Sequence, residues 1–350
     1  MATIGLKGIW GLEQLDRTGI ATWKLGILLM GGGALFGAIL IPILGEVNPD
    51  SVLATSPRAV AFLLVSIPST TGFALFFSLA LARTTETDLR LLSSIDSSVN
   101  ESVKRLQPTT RTLLISILFL MMFNFSLFPA EHAMTLNMTI SESFSALHSS
   151  GLVLNVIYYP LVLVNGLAGG VLFSILITQS LSLKYTARQM KVDLLQLNHY
   201  SVIANPIVRG ILLLLAGFSL FPPLILFADD PTLSTAMAFV ALVSILGLVF
   251  PIFLLYAYPI LILRNRIRDE KQRELNIVFQ SLQGNDEAIK AITIQGRGVP
   301  TSTSDLLTHQ MFVESRWEWP IASHVQKLIL FGLLPPLTWV LAATIENALY

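Results

Sequence analysis

All but one of the 22 lysines and arginines lie on one side of a single alternating path through seven apolar segments. The segments run from Thr22 to Leu44, Ala59 to Ala82, Thr112 to Pro129, Leu152 to Leu181, Ile207 to Phe227, Leu233 to Leu263 and Leu328 to Ile345. Each approaches or exceeds the roughly 20 helical residues that cross a hydrocarbon core. Lys7, Arg17 and Lys24 stand at or before the first segment, and Arg83, Arg90, Lys104, Arg105 and Arg111 follow the second. Lys184, Arg188, Lys191 and Arg209 stand between the fourth and fifth, and every cation from Arg264 to Lys327 precedes the last. The exception, Arg58, sits at the edge of the second segment. The other three connectors, 45–57, 130–151 and 228–232, carry acids instead. By the positive-inside rule the N-terminus is cytoplasmic, and an odd number of spans puts the C-terminus outside.

Composition agrees with a polytopic integral membrane helical bundle, all-α, of about seven spans. Hydrophobic residues make up 53% and charged residues only 13%, where soluble domains carry about 25% charged residues. The net charge is zero, so no global field recruits nucleic acid. The chain has no cysteine, which removes disulfides, thiolate metal sites and cysteine nucleophiles together. The first apolar segment is too long for a secretory signal and is read as a retained helix. The organisation expected is a cytoplasmic segment over 1–21, a six-span bundle with cytoplasmic helical connectors over 22–263, a cytoplasmic helix and polar loop over 264–327, and a final span over 328–350. Pro335-Pro336 breaks that last span, so a re-entrant pair of short helices is its alternative.

The cytoplasmic connectors show helical periodicity. Leu92, Ile95, Val99, Val103 and Leu106 recur at three- and four-residue steps up to Pro108. Span four is expected to continue through Met190 and Leu194 until Asn205-Pro206 stops it. After span six, Ile267, Leu275, Val278 and Leu282 form one stripe, with Arg266–Glu270 and Asp269–Arg273 spaced for ion pairs. Arg266, Arg268, Lys271 and Arg273 are the candidate partner surface there. Gly284 to Ser304 reads as a polar linker, and its Gly-Arg-Gly stretch lacks the Gly-Lys-Ser/Thr ending of a phosphate loop.

Catalytic motifs are missing. The histidines at 132, 148, 199, 309 and 324 have no metal-ligand spacing, no Gly-x-Ser-x-Gly elbow occurs, and no span carries an ionisable side chain in its centre. An enzyme is therefore not expected, nor any metal or cofactor. The spans hold neutral polar groups beside prolines instead. Ser66, Ser69, Thr70 and Thr71 surround Pro68 and either line an aqueous path or tie down carbonyls near the proline. Asn124 in span three, and Asn155, Tyr158, Tyr159 and Asn165 in span four, must hydrogen-bond between helices or face water. These nine residues are the candidate pore or ligand pocket. Gly33 with Gly37, and Gly166 with Gly170, have the spacing that lets helix backbones meet.

The strings Val192-Asp193-Leu194-Leu195, Arg209-Gly210, Arg264 to Leu275 and Glu318-Trp319-Pro320 before a Pro-rich final segment resemble a pattern in uncharacterised bacterial multi-pass membrane proteins. That resemblance implies a bacterial cytoplasmic membrane and no particular activity. In plan alone, the seven-span arrangement is similar to insect chemoreceptor channels. Three functions are compatible with these features: a ligand-responsive channel or receptor-like homo-oligomer, a non-enzymatic scaffold or accessory subunit of a membrane complex, and a facilitator for an uncharged or lipophilic solute.

Overall fold

A computed structural model describes residues 3–47, 57–135, 152–194, 197, 200–218, 250–292 and 302–319. Among them the chain is all-helical. We number the helices α1 (Trp10–Arg17), α2 (Thr22–Val47), α3 (Pro57–Ile95), α4 (Asn100–Lys104), α5 (Thr110–Thr135), α6 (Leu152–Gln189), α7 (Ser201–Phe218), α8 (Phe250–Leu282), α9 (Asp286–Ala291) and α10 (Thr303–Ser315). Short 3-10 turns occupy Ile4–Leu6 and Ser97–Val99. In the bundle α3 packs on α2 and α6, α5 packs on the other side of α6, and α7 and α8 close against α3 and α6.

Two helices among the described residues are long and apolar enough to cross a membrane, Thr22–Leu40 within α2 and Tyr159–Gln189 within α6. Thr110–Phe123 and Ile203–Leu212 are shorter apolar helices that fall in the expected third and fifth spans. The expected last span lies outside the described residues, as do residues 219–227 of the fifth and 233–249 of the sixth. Among the described residues the structure thus supplies two helices long and apolar enough to span, where seven were expected.

Three helices exceed a bilayer's needs by a wide margin. With 39, 38 and 33 residues, α3, α6 and α8 run about 50–58 Å at roughly 1.5 Å per residue, against a hydrocarbon core of about 30 Å. Each continues through an internal proline, Pro68, Pro160 and Pro259 respectively, so these prolines do not break the helices.

The ends of the helices follow local chemistry, and here several expectations are corrected. The stripe after span two is not one helix. The Asp96 side chain accepts a hydrogen bond from the Ser98 amide and turns the chain, which leaves Ile95 55% exposed while Leu92, Val99, Val103 and Leu106 are buried. Nor does span four run to Asn205-Pro206. It ends at Gln189, where the Arg266 guanidinium donates to the carbonyls of Ala187 and Arg188, each at 2.8 Å. The Tyr200 hydroxyl, which accepts from the Asp193 amide and lies 3.1 Å from the Lys191 carbonyl, holds the turn that follows. Pro206 then sits inside α7. The 284–304 linker is partly helical: Gly284, at φ +87°, closes α8, and the Asn285 side chain accepts from the amides of Glu287 and Ala288 to start α9.

The helix α10 folds back along α8 in the opposite direction. Leu306 packs with Val278, His309 Nε2 lies 3.1 Å from Glu274, Lys271 donates to the carbonyls of Glu314 and Arg316, and Trp319 stacks with Arg264. The chain thus descends along α8 and returns along α10 to the level of Arg264.

Candidate functional site

The neutral polar groups of α3 and α6 meet in one place. Pro68 has no amide hydrogen, so the Leu64 carbonyl loses its helical donor. The neighbouring hydroxyls bond to other carbonyls: Ser69 donates to Val65 at 2.6 Å, Thr70 to Ile67 at 2.9 Å and Thr71 to Ile67 at 2.8 Å. From the facing helix, Oδ1 of Asn165 lies 3.3 Å from the Thr70 hydroxyl and 3.1 Å from the Thr71 hydroxyl. Each hydroxyl carries a single hydrogen. With both hydrogens given to Ile67, the network balances when the amide nitrogen of Asn165 faces the threonines as donor, since amide orientation is assigned from the network. The amide oxygen is then turned away from α3 as an acceptor. All three side chains are half-buried.

Close backbone approach holds this node in register. A Cβ on Gly33 would overlap the Pro68 carbonyl, one on Gly72 would overlap the Leu29 carbonyl, and one on Gly170 would overlap the Ile117 backbone. Glycine at these positions therefore lets α2 lie directly on α3, and α5 directly on α6. Gly37 and Gly166 are buried in α2 and α6. Tyr159 is half-buried on α6. The side chains of Ser66, Asn124, Asn155 and Tyr158 lie outside the described residues.

A second neutral node escaped the sequence reading. The Tyr256 hydroxyl lies 3.2 Å from Oε1 of Gln179, and both side chains are buried. Gly210 makes room for it, because a Cβ there would come 3.1 Å from the tyrosine ring. Beside it Ser180 donates to the Leu255 carbonyl at 2.5 Å. An amide near the C-terminal end of an apolar segment, Gln179, was the visible signal.

Charged groups gather beyond the ends of the apolar stretches. Arg83 fastens the N-terminal segment: its Nε donates to Asp16 at 2.6 Å, and its other nitrogens reach the carbonyls of Asp16 and Ile20 and the Thr22 hydroxyl. The Thr3 amide also donates to Asp16, and the Ile4 amide to Glu86. Burial pushes the Asp16 carboxyl up, but the bonds from Thr3 and Arg83 outweigh it and hold the group below its usual range. Asp88 pairs with Arg209 at 2.6 Å, yet burial dominates and keeps its pKa above the usual range. Glu101 is held below its range first by Arg105 and then by the Tyr185 hydroxyl.

The candidate partner surface after span six is largely occupied within the chain. Arg266 closes the end of α6 and Lys271 closes the end of α10, both placing a cation at a helix C-terminus. Arg273 pairs with Glu270 at 3.6 Å, in place of the two expected i,i+4 pairs, and Arg268 is exposed. Among the described residues no three histidine, aspartate or glutamate side chains gather as a metal site requires.

The resemblance noted for the C-terminal half rests on its residue strings alone, for in comparisons with protein-family models, curated proteins and solved structures nothing matches the chain.

Proposed function

We propose that the chain is a multi-pass membrane protein of about seven spans, with a cytoplasmic N-terminus, that recognises a small uncharged hydrogen-bonding solute inside its own bundle and facilitates its passage. The observation that carries this reading is the convergence of Thr70, Thr71 and Asn165 at 3.3 and 3.1 Å. They lie in stretches, 65–82 of α3 and 159–183 of α6, that contain no charged side chain. A site of hydroxyls and one amide matches a neutral solute, whereas an ion or charged substrate would meet no counter-charge there. The spans are supported by the one-sided distribution of cations, by the two long apolar helices and by exposed Ile27, Leu28, Leu35 and Phe36 along α2.

The node is completed by two helices of one subunit. That favours a facilitator over the ligand-responsive homo-oligomeric channel, which uses the same residues but needs several copies. The scaffold reading is supported only by the cytoplasmic hairpin of α8 and α10, where Leu307 and Met311 are exposed.

The test is solute flux into proteoliposomes across a series of small neutral molecules such as urea, glycerol and acetamide. We expect wild-type flux for at least one solute to exceed that of empty liposomes several-fold without ionic current. Asn165→Leu should remove most of the excess. Flux no greater than that of empty liposomes for every solute rejects the facilitator, and current from a symmetric oligomer replaces it with the channel.

A further inference from the structure

The exposed apolar surface ends in the same way on three helices. On α2, exposed Ile27 and Leu28 are preceded by Lys24, whose Nζ lies 5.5 Å from the centroid of the exposed Trp23 ring. On α6, exposed Leu181 is followed one turn later by Lys184, 4.8 Å from the exposed Tyr258 ring of α8. On α8, exposed Leu261 is followed one turn later by Arg264, whose guanidinium lies 4.4 Å from the exposed Trp319 ring.

In each case a cation is held against an aromatic face where the apolar strip stops. None of the three cations takes part in an ion pair among the described residues. The buried Nε of Arg264 also has no hydrogen-bond partner there. A ring face holds a cation in place without neutralising it, so an unspent positive charge stays at that level. Tryptophan and tyrosine favour the same boundary because one end of each is apolar and the other polar.

We propose that these three pairs bind the headgroups of anionic phospholipids in the cytoplasmic leaflet, with the phosphate on the cation and an acyl chain along the apolar strip beside it. The charge selects an anionic headgroup, and the adjoining strip of exposed leucine or isoleucine selects a lipid over a free anion. This site rests on the membrane reading above.

The test uses the full chain in mild detergent, offered phosphatidylglycerol and phosphatidylcholine of equal acyl length, with retention read by native mass spectrometry. Phosphatidylglycerol should be retained at roughly tenfold lower concentration than phosphatidylcholine, the scale expected from a few unneutralised cations near an anionic headgroup. The triple variant Lys24→Gln, Lys184→Gln and Arg264→Gln should bring the two lipids to parity with helix content unchanged. Equal retention by the wild-type chain overturns the proposal without any variant, and so does a folded triple variant that keeps the preference. Displacement of phosphatidylglycerol by millimolar inorganic phosphate also overturns it, since the site would then read a free anion. Extraction of vesicles with alkaline carbonate separates the two levels of argument. A chain released by carbonate fails the membrane reading itself, whereas a chain that stays bound but ignores the headgroup fails this proposal alone.

Discussion

Gly31 and Gly33 stand two residues apart on α2 and meet opposite surroundings. Nothing lies within 4 Å of a Cβ added at Gly31, while at Gly33 it would overlap the Pro68 carbonyl. Gly33→Ala must push α2 off α3 and should cost about 1–3 kcal/mol, a typical overpacking cost. Gly31→Ala should be neutral or should gain up to about 1 kcal/mol from helix propensity. Thermal midpoints in detergent check this, and equal midpoints for the two variants would remove the close-approach argument. The Gly33/Gly37 spacing made such an approach readable in the sequence. Gly72 gave no such sign, because the residues four positions away on either side, Pro68 and Phe76, are not small. Asn165 tests the node in the same way. Hydrogen bonds between membrane helices are worth only about 0.6–1.7 kcal/mol, so Asn165→Leu should lower the midpoint slightly while removing most of the excess solute flux. A large stability loss with flux retained would make the node structural glue.

At the scale of elements, the periodic stretches were legible and their ends were not. In the stripe of Ile267, Leu275, Val278 and Leu282, Ile267 and Val278 are buried and Leu275 and Leu282 half-buried, on the side where their spacing put them, because an apolar face must be covered. The break at Gln189 depends on Arg266, far along the chain, which no local window contains, whereas the break at Asp96 rests on its own side chain accepting from the Ser98 amide, a local turn that the apolar spacing overrode. The N-terminal segment was likewise read only as a cytoplasmic stretch, yet Leu6 and Leu12 are buried against Leu79, Ala82 and Ile175, and Arg83 ties the segment down. Arg83→Gln should therefore expose residues 3–20 to limited proteolysis several-fold faster than wild type; an unchanged rate would show that apolar burial alone holds the segment. Acid should act on the same latch. The folded Asp16 carboxyl lies below its unfolded value of about 3.9. Its contribution is thus complete above that value and is lost as pH falls through the lower folded pKa. Asp88 has the opposite sign: raised by burial, its contribution is present at low pH and is lost as pH rises through the elevated pKa. Asp16→Asn should flatten the loss of the midpoint on the acid side, and Asp88→Asn should flatten the decline on the other. A pH profile unchanged by either substitution would contradict both assignments.

For the molecule as a whole, the proposed orientation rests on counting cations, several of which are ion-paired in the structure. The ion-paired layer of Asp16–Arg83, Asp88–Arg209 and Glu101–Arg105 lies on residues assigned to the cytoplasmic side. The α8–α10 hairpin is assigned there as well under the proposed topology, since α8 leaves its apolar stretch at Arg264 and α10 brings the chain back to it. Of the fifth to seventh segments, residues 219–227, 233–249 and 328–345 lie outside the described residues. Orientation is nevertheless open to a direct experiment, because the chain has no cysteine and any introduced thiol is read without background. Ser304 is exposed on α10, on the side assigned to the cytoplasm, and Ser141 lies in an acidic connector assigned outside. In intact cells, or in spheroplasts if an outer barrier blocks the probe, an impermeant maleimide should label Ser141→Cys and spare Ser304→Cys. Permeabilisation should expose both. Labelling of Ser304→Cys alone would invert the bundle and move the proposed lipid sites to the other leaflet. Equal labelling before permeabilisation would place both positions on one face, which would require an even number of crossings between them and would rule out the alternating seven-span path.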